Sequence, residues 1–343
     1  MPQIRAGIIN VTGYIGAELA RLLCQHPQVK LVTITGRSAA GQKLGDVFPN
    51  FAGTGYIIKS ELDSEIDIAF SAMPHKSSVH VVPSLLKQGI RVVDTSADFR
   101  LKNADKYLKW YGFTHPSPEL LRESVFGLPE LHREKIASAS LVANPGCYST
   151  GALLALAPVV KEGLIHPDIV VDSKSGISGA GRTLSLTAHY SEANEDICAY
   201  SLDGHRHLPE IEQELKALSP SFSPSITFVP HLVPMTRGIL STCYARLTDS
   251  RQLTAESLNQ IYRKFYEHAP FIQITIKPPH TKHVWGTNLC LIYTTVDLRT
   301  SRFIVVSCLD NLVKGGAGQA VQNMNLMFGL PETTGLEALA IYP

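Results

Sequence analysis

Within its first hundred residues the chain alternates apolar runs with helically spaced ones, and that rhythm leaves few folds open. Residues 4–9 are a short apolar run, residues 17–23 carry apolar side chains at helical spacing, and residues 29–35 and 66–71 are apolar and strand-like. A helix is predicted over 79–88 and a further strand over 91–94. Alternation at this pitch implies βαβ crossovers, and hence an α/β domain on a parallel, doubly wound sheet. From about 168 to 310 the rhythm changes. Strand candidates at 168–172, 225–229, 240–247, 271–276, 288–296 and 303–308 are interrupted by only two clear helices, at 209–218 and 254–268. Many strands with few crossovers predict an α+β domain on a mostly antiparallel sheet. Residues 315–328 are again helical and rich in small side chains, and are expected to return to the first domain. The expected division is therefore 1–146 with 314–343, and 147–313.

Charge and cysteine usage narrow the function classes. A net charge of +1 over 343 residues, without basic or acidic runs, points away from nucleic acid and from anionic membrane surfaces. No apolar stretch approaches the length of a membrane span. The amino terminus lacks the apolar region of a signal peptide. Six cysteines, at 24, 147, 198, 243, 290 and 308, include no CxxC pair, so a disulfide framework or zinc knuckle is not expected and a reducing cytoplasm is. Cys243, Cys290 and Cys308 lie in strand-like apolar runs and read as inert core residues. Cys24 follows Leu22 and Leu23 on a helix and reads the same way.

Cys147 reads differently. In Asn144-Pro145-Gly146-Cys147-Tyr148 a turn of small residues delivers the cysteine to the start of a helical pattern, 149–157. Unpaired N–H groups and the macrodipole at a helix amino end favour an anion. A thiol there can have its pKa drawn down from roughly 8.5 toward neutrality, which gives a reactive thiolate. The competing reading is a buried structural cysteine.

Three further segments carry possible chemistry. Residues 7–16 place Asn10, Thr12, Gly13 and Gly16 between a strand and a helix, the context in which a glycine loop cradles a pyrophosphate. Asn10 stands where a tight-turn glycine is usual, and asparagine tolerates positive φ. At the end of the second strand an NAD-binding loop normally offers an acid to the ribose; here stand Thr35-Gly36-Arg37-Ser38. Arginine and hydroxyl suit a 2′-phosphate, so the cofactor expected is NADP rather than NAD. In Gly204-His205-Arg206-His207-Leu208-Pro209-Glu210, the proline suits a first helical turn, which leaves both histidines just ahead of the helix as acid/base candidates. A metal site of His205, His207 and Glu210 and a pair of hydrogen-bonded surface histidines are the alternatives. Residues 175–182, with closely spaced glycines, the two serines Ser175 and Ser178, and Arg182, read as an anion-binding nest or as a mobile loop between domains.

Taken in order, these segments are similar to those of the N-acetyl-gamma-glutamyl-phosphate reductases of arginine biosynthesis, over almost the whole chain. The resemblance rests on residues 12–19, Ala72-Met73-Pro74-His75, residues 94–100, Gly127-Leu128-Pro129-Glu130, residues 144–148, 175–182 and 204–211, and residues 310–320. Asn10 in place of a common glycine and Ser149 in place of a frequent proline are small departures. The resemblance implies a Rossmann-type domain in 1–146 and 314–343, and a glyceraldehyde-3-phosphate-dehydrogenase-like catalytic and oligomerisation domain in 147–313. It implies NADP(H) held by Thr12, Gly13, Tyr14, Ile15, Gly16, Arg37, Ser38, Ser178, Gly179 and Asn311. Cys147 is then the nucleophile, His207 first and His205 second the proton-handling group, and Arg100, Arg182 and Glu210 the substrate contacts. A small acyl phosphate, no metal, no nucleic acid, no membrane, a homodimer or homotetramer and a cytoplasmic site complete the expectation. The rivals are aspartate-semialdehyde dehydrogenase, a lysine-pathway paralogue acting on a carrier-bound aminoadipyl group, a cofactor-free Cys–His hydrolase, and a non-enzymatic NADP sensor.

Overall fold

The computed structural model describes residues 3–63, 65–248 and 253–342. The chain divides into two compact units, Met1–Pro145 with Gly316–Ala338, and Gly146–Gly315 with Leu339–Pro343. The tail thus belongs with the second unit, where the sequence pattern put everything after 314 with the first. The Ile341 N–H donates to the Trp285 carbonyl at 3.1 Å, which fastens the tail there.

The first unit is built on six parallel strands: β1 (Ile4–Ile9), β2 (Val29–Ile34), β3 (Ile68–Ser71), β4 (Arg91–Asp94), β5 (Val125–Phe126) and β6 (Leu141–Ala143), in the order β2-β1-β3-β4-β6-β5. Direction reverses between β1 and β3, and in such sheets ligands bind beyond the carboxyl ends of strands at this switch point. The Tyr14–Gln25 helix follows β1 and buries Leu19, Leu22 and Leu23. Cys24 is exposed on that helix, so its reading as a core residue is corrected: it falls one position past the buried stripe. The helix expected over 79–88 is a 3₁₀ turn, Ser78–His80, followed by Val82–Lys87. Pro83 stands in the first turn of the second piece, where its missing N–H costs nothing. The Gly318–Met327 helix buries Asn323, whose Nδ2 donates to the Gly127 carbonyl (2.9 Å) and to Asn144 Oδ1 (3.0 Å).

The second unit carries seven strands: β7 (Ile165–Gly176), β8 (Cys198–Ala199), β9 (Ser225–Val233), β10 (Ile239–Leu247), β11 (Ile272–Ile274), β12 (Cys290–Asp297) and β13 (Arg302–Leu309), in the order β11-β12-β13-β10-β7-β9-β8. Four of its six pairings are antiparallel and two, β11 with β12 and β7 with β9, are parallel. The Cys147–Lys161 helix packs on β10 and β13 and is buried from Tyr148 through Val160, which its Ala- and Gly-rich sequence permits. The Ser307 hydroxyl donates to its Gly151 carbonyl (2.9 Å), and the Tyr266 hydroxyl to Leu154 (2.7 Å). On one face of the sheet Val171, Cys243 and Val305 are buried; on the other, Val170, Tyr244 and Ile304 stand across from one another and remain half-buried. Cys290 and Cys308 are buried too, as expected. Among the described residues no helix is long and apolar enough to cross a membrane.

Candidate active site

Gly146 is the N-cap of the Cys147–Lys161 helix, in extended conformation (φ −67°, ψ 148°), and no side chain caps this end. Cys147, half-buried, is therefore the first helical residue, in the turn whose N–H groups have no carbonyl partner within the helix. The turn is fixed from behind. The Gly146 N–H donates to Glu210 Oε2 at 3.0 Å, and Glu210 is 0% exposed in the first turn of the Leu208–Leu218 helix. The Ser149 hydroxyl donates to the His207 carbonyl (3.4 Å), joining the two helix starts a second time. A Cβ on Gly146 would lie 2.3 Å from His207 Nε2, so only glycine lets the imidazole approach the residue beside the cysteine. On the other side Gly315 packs against Cys147: a Cβ there would stand 2.8 Å from the cysteine's own Cβ.

The two histidines are not equivalent. Their rings meet edge to face, centroids 4.7 Å apart, and the His207 N–H donates to His205 Nδ1 at 3.1 Å. That bond assigns the His205 proton to Nε2. Burial, and after it the charge of Arg206, push His205 down to about 4, so it stays neutral at neutral pH. Tyr148, Tyr200 and Phe228 surround its ring. The Tyr148 hydroxyl donates to the His231 carbonyl (3.0 Å) and accepts from the Tyr200 hydroxyl (3.2 Å). Burial raises both phenols, that of Tyr200 to about 12, so neither is an anion at neutral pH.

Ser178 and Gly179 lie in a 3₁₀ turn, Ile177–Ala180, at the end of β7. Asn311 meets them: its Nδ2 donates to Ser178 Oγ (2.9 Å), while its Oδ1 accepts from the Gly238 N–H (2.8 Å). These three expected cofactor residues thus form one cluster held by their own hydrogen bonds. Arg182 is exposed beyond Gly181. Arg100 belongs to the first unit, where it is buried and its Nη2 donates to the Thr95 carbonyl (2.8 Å). Sequence reading missed Arg237 and Asp310. Asp310 is 0% exposed; its Oδ1 accepts from the N–H groups of Leu312 and Val313, its Oδ2 accepts from that of Gly286 (2.8 Å), and Arg237 Nη1 lies 3.6 Å from the same Oδ2. The signal for the arginine is Pro234-Met235-Thr236-Arg237-Gly238, an arginine on a tight turn between two strands.

In the first unit, the loop after β1 has the features of a phosphate cradle. Asn10 takes a positive φ of 67°, as the sequence required of it, and its Nδ2 donates to the Ala72 carbonyl (2.8 Å). A Cβ on Gly16 would meet the Asn10 carbonyl at 2.4 Å, so helix and loop touch backbone to backbone. Gly13 caps the Tyr14–Gln25 helix without a side-chain partner, and Tyr14 is 38% exposed; Thr12, Gly13 and Ile15 are half-buried. A cleft of about 620 Å³ opens beside this loop, lined among others by Asn10, Gly36, Arg37, Ser38, Pro74 and His80. Arg37 and Ser38 are exposed at its wall, which fits a dinucleotide whose ribose carries a 2′-phosphate. Among the described residues no three His, Cys, Asp or Glu side chains are grouped to hold a metal ion.

The comparisons with known proteins follow this geometry. Residues 5–139 match the family described as semialdehyde dehydrogenase, NAD binding domain, and residues 147–311 that described as semialdehyde dehydrogenase, dimerisation domain. Two solved structures share the fold. Aspartate semialdehyde dehydrogenase II from Vibrio cholerae superposes with a TM-score of 0.73 at 18% identity, covering 96% of this chain and 99% of its own. The Candida albicans aspartate semialdehyde dehydrogenase with NADP gives 0.72 at 16%, covering 95% and 98%. Fold and matched domains define an oxidoreductase of the semialdehyde dehydrogenase class, with a nicotinamide-dinucleotide-binding domain. Within that class, the chain belongs to the N-acetyl-gamma-glutamyl-phosphate reductase family. It is 57% identical over 343 residues to the Dehalococcoides mccartyi member, covering 100% of both chains. With the Heliobacterium modesticaldum member it shares 49% over 352 aligned positions, covering 99% of this chain and 100% of the other.

Proposed function

We propose that the protein reduces N-acetyl-γ-glutamyl phosphate to N-acetylglutamate 5-semialdehyde with release of phosphate, drawing on NADPH, as a step of arginine biosynthesis. The observation that carries this reading is Cys147 at an uncapped helix start with the His207 ring against Gly146, in a chain 57% identical to a protein so named. Cys147 loses its thiol proton to His207 and attacks the acyl carbonyl. The N–H groups of the first helical turn stabilise the oxyanion. Collapse expels phosphate, which takes the proton from His207, and leaves the acyl group on sulfur as a thioester. The two-electron reduction of that thioester is the chemistry that NADPH would supply when held by the first unit, and departure of the aldehyde would leave Cys147 as the thiolate. Glu210, by accepting from the Gly146 N–H, holds the turn at the position that lets His207 reach it. His205, neutral with its proton on Nε2, is a positioning residue rather than a proton carrier. Arg37 and Ser38 would take the 2′-phosphate, and the loop 12–16 the pyrophosphate. We infer further that the protein is a homodimer or homotetramer built through the unit of residues 147–311, whose sheet leaves Val170, Tyr244 and Ile304 half-buried.

The test is NADPH formation from N-acetylglutamate semialdehyde, phosphate and NADP, run beside aspartate semialdehyde and the aminoadipyl analogue. The glutamyl substrate should be the one turned over. Preference for either analogue would reassign the reaction, and turnover without a dinucleotide would favour the hydrolase. Cys147→Ser should abolish turnover while NADPH still binds, because a serine hydroxyl is a much weaker nucleophile.

A further inference from the structure

An N-acetylglutamyl substrate carries two anionic groups, a carboxylate that persists into the aldehyde and a phosphate that leaves. Resting on the acyl-phosphate reading above, we propose that Arg237 is the anchor for the carboxylate. Arg237 sits on the turn between β9 and β10, and its side chain is 25% exposed, so the guanidinium is neither sunk in the core nor loose at the surface. The turn itself is rigid. The Ile177 N–H donates to the Met235 carbonyl (2.9 Å), the Ser178 N–H to that of Thr236 (3.2 Å), and the Gly176 N–H to that of Gly238 (2.9 Å). A Cβ on Gly176 would lie 2.9 Å from the Arg237 nitrogen, so the glycine stretch after β7 and the arginine turn are pressed together backbone to backbone. Gly238, at φ 114°, closes the turn in a conformation that side-chain-bearing residues avoid.

Asp310 links this turn to the nucleophile. Its buried carboxylate lies 3.6 Å from Arg237 Nη1, and its own carbonyl accepts from the N–H of Gly315 (2.9 Å), the residue packed on Cys147. A guanidinium oriented in this way offers a planar fork suited to a carboxylate. Arg182, the arginine singled out by sequence in this unit, is exposed on the segment after Gly181.

The experiment is run in the oxidative direction, where carboxylate and phosphate sit on separate reactants. Arg237→Gln should raise the KM for N-acetylglutamate semialdehyde by about 10- to 100-fold, the usual worth of hydrogen bonds to a charged group, and leave the KM for phosphate unchanged. Wild type should lose a similar factor on the α-methyl ester of the semialdehyde, and the variant should treat acid and ester alike. A variant that still prefers the acid as strongly as wild type, or one in which only the phosphate KM moves, overturns the assignment. Should the glutamine variant not fold, Arg237→Lys serves: one point charge in place of the fork should give a smaller rise in the same KM, and an unchanged KM overturns the proposal. Failure of the reaction itself is separate, since wild type would then not turn over the semialdehyde at all.

Discussion

Two helix starts in this molecule are made alike and used differently. The Tyr14–Gln25 and Cys147–Lys161 helices are each capped by a glycine in extended conformation, Gly13 and Gly146, with no side-chain cap and no acid in the first turn. Both therefore point the N–H groups of a first turn, which have no partner within the helix, and the positive end of a macrodipole at whatever lies before them. At the first, the surroundings stay open: Thr12, Gly13 and Ile15 are half-buried, Tyr14 is exposed, and a cleft lies alongside. At the second, protein closes in, with Glu210 on the Gly146 N–H, His207 on the Gly146 Cα and Gly315 on Cys147. On the function proposed above, the open start would seat a diffusible anion and the closed one would stabilise an anion that the chain itself carries. The helix behind each follows suit, amphipathic in the first unit and buried from Tyr148 through Val160 in the second.

The largest effect should come from breaking the closed start. Gly146→Ala puts a methyl group where His207 Nε2 now stands, so the imidazole must leave its place against Gly146. A loss in kcat of about a hundredfold or more is expected, the worth of a general base, with NADPH affinity unchanged by fluorescence titration. Gly16→Ala, at the open start, should do the reverse and weaken NADPH binding, since its Cβ would strike the Asn10 carbonyl. If either alanine lowered kcat and cofactor affinity together, the two starts would not be separable in function.

A smaller effect sharpens what the open start receives. Arg37→Glu should weaken NADPH relative to NADH by about 10- to 100-fold, because a carboxylate opposes the 2′-phosphate and suits the bare ribose. Titration of the variant with both cofactors decides it. Equal loss for the two would take Arg37 away from the ribose.

Why one start was more legible than the other follows from how each is encoded. The strands, the parallel sheet and the turn before Cys147 are written in local pattern: apolar runs, Pro145-Gly146, and a helix whose buried face is complete within its own sequence. Asn10 is local too, since a positive φ is demanded by the turn it occupies and few residues tolerate it. Arg237 and Asp310 were missed because their meaning lies in partners 73 positions apart, and neither segment carries a repeat or spacing that foretells the pair. Cys24 misled for the opposite reason: its neighbours Leu22 and Leu23 are buried, but one more step of 100° turns a helix residue to solvent. The tail after Ala338 has no pattern of its own and is placed by distant partners, the bond from Ile341 to Trp285 and the Tyr342 ring against His283. Pairing between distant segments is set by the fold as a whole, which local periodicity does not contain.

The last and smallest effect at neutral pH concerns His205, the wall of the closed start. Its folded-state pKa is depressed from 6.5 to about 4, chiefly by burial and then by Arg206. Between these values the unfolded chain binds a proton that the folded chain refuses, so stability rises with pH across this window. The contribution is therefore intact above about 6.5 and is lost as pH falls toward 4. His205→Gln removes the titration while an amide oxygen can still accept from the His207 N–H, so the variant should unfold near the wild-type midpoint at pH 7 and lose less than wild type on acidification. His26 and His115 are also pushed down by burial and share the acid-side slope, so the informative quantity is the difference between variant and wild type. Urea unfolding followed at intervals from pH 7 to pH 4 measures it. Parallel stability curves for the two proteins would mean that His205 charges freely, and that the closed start is wetter than its burial implies.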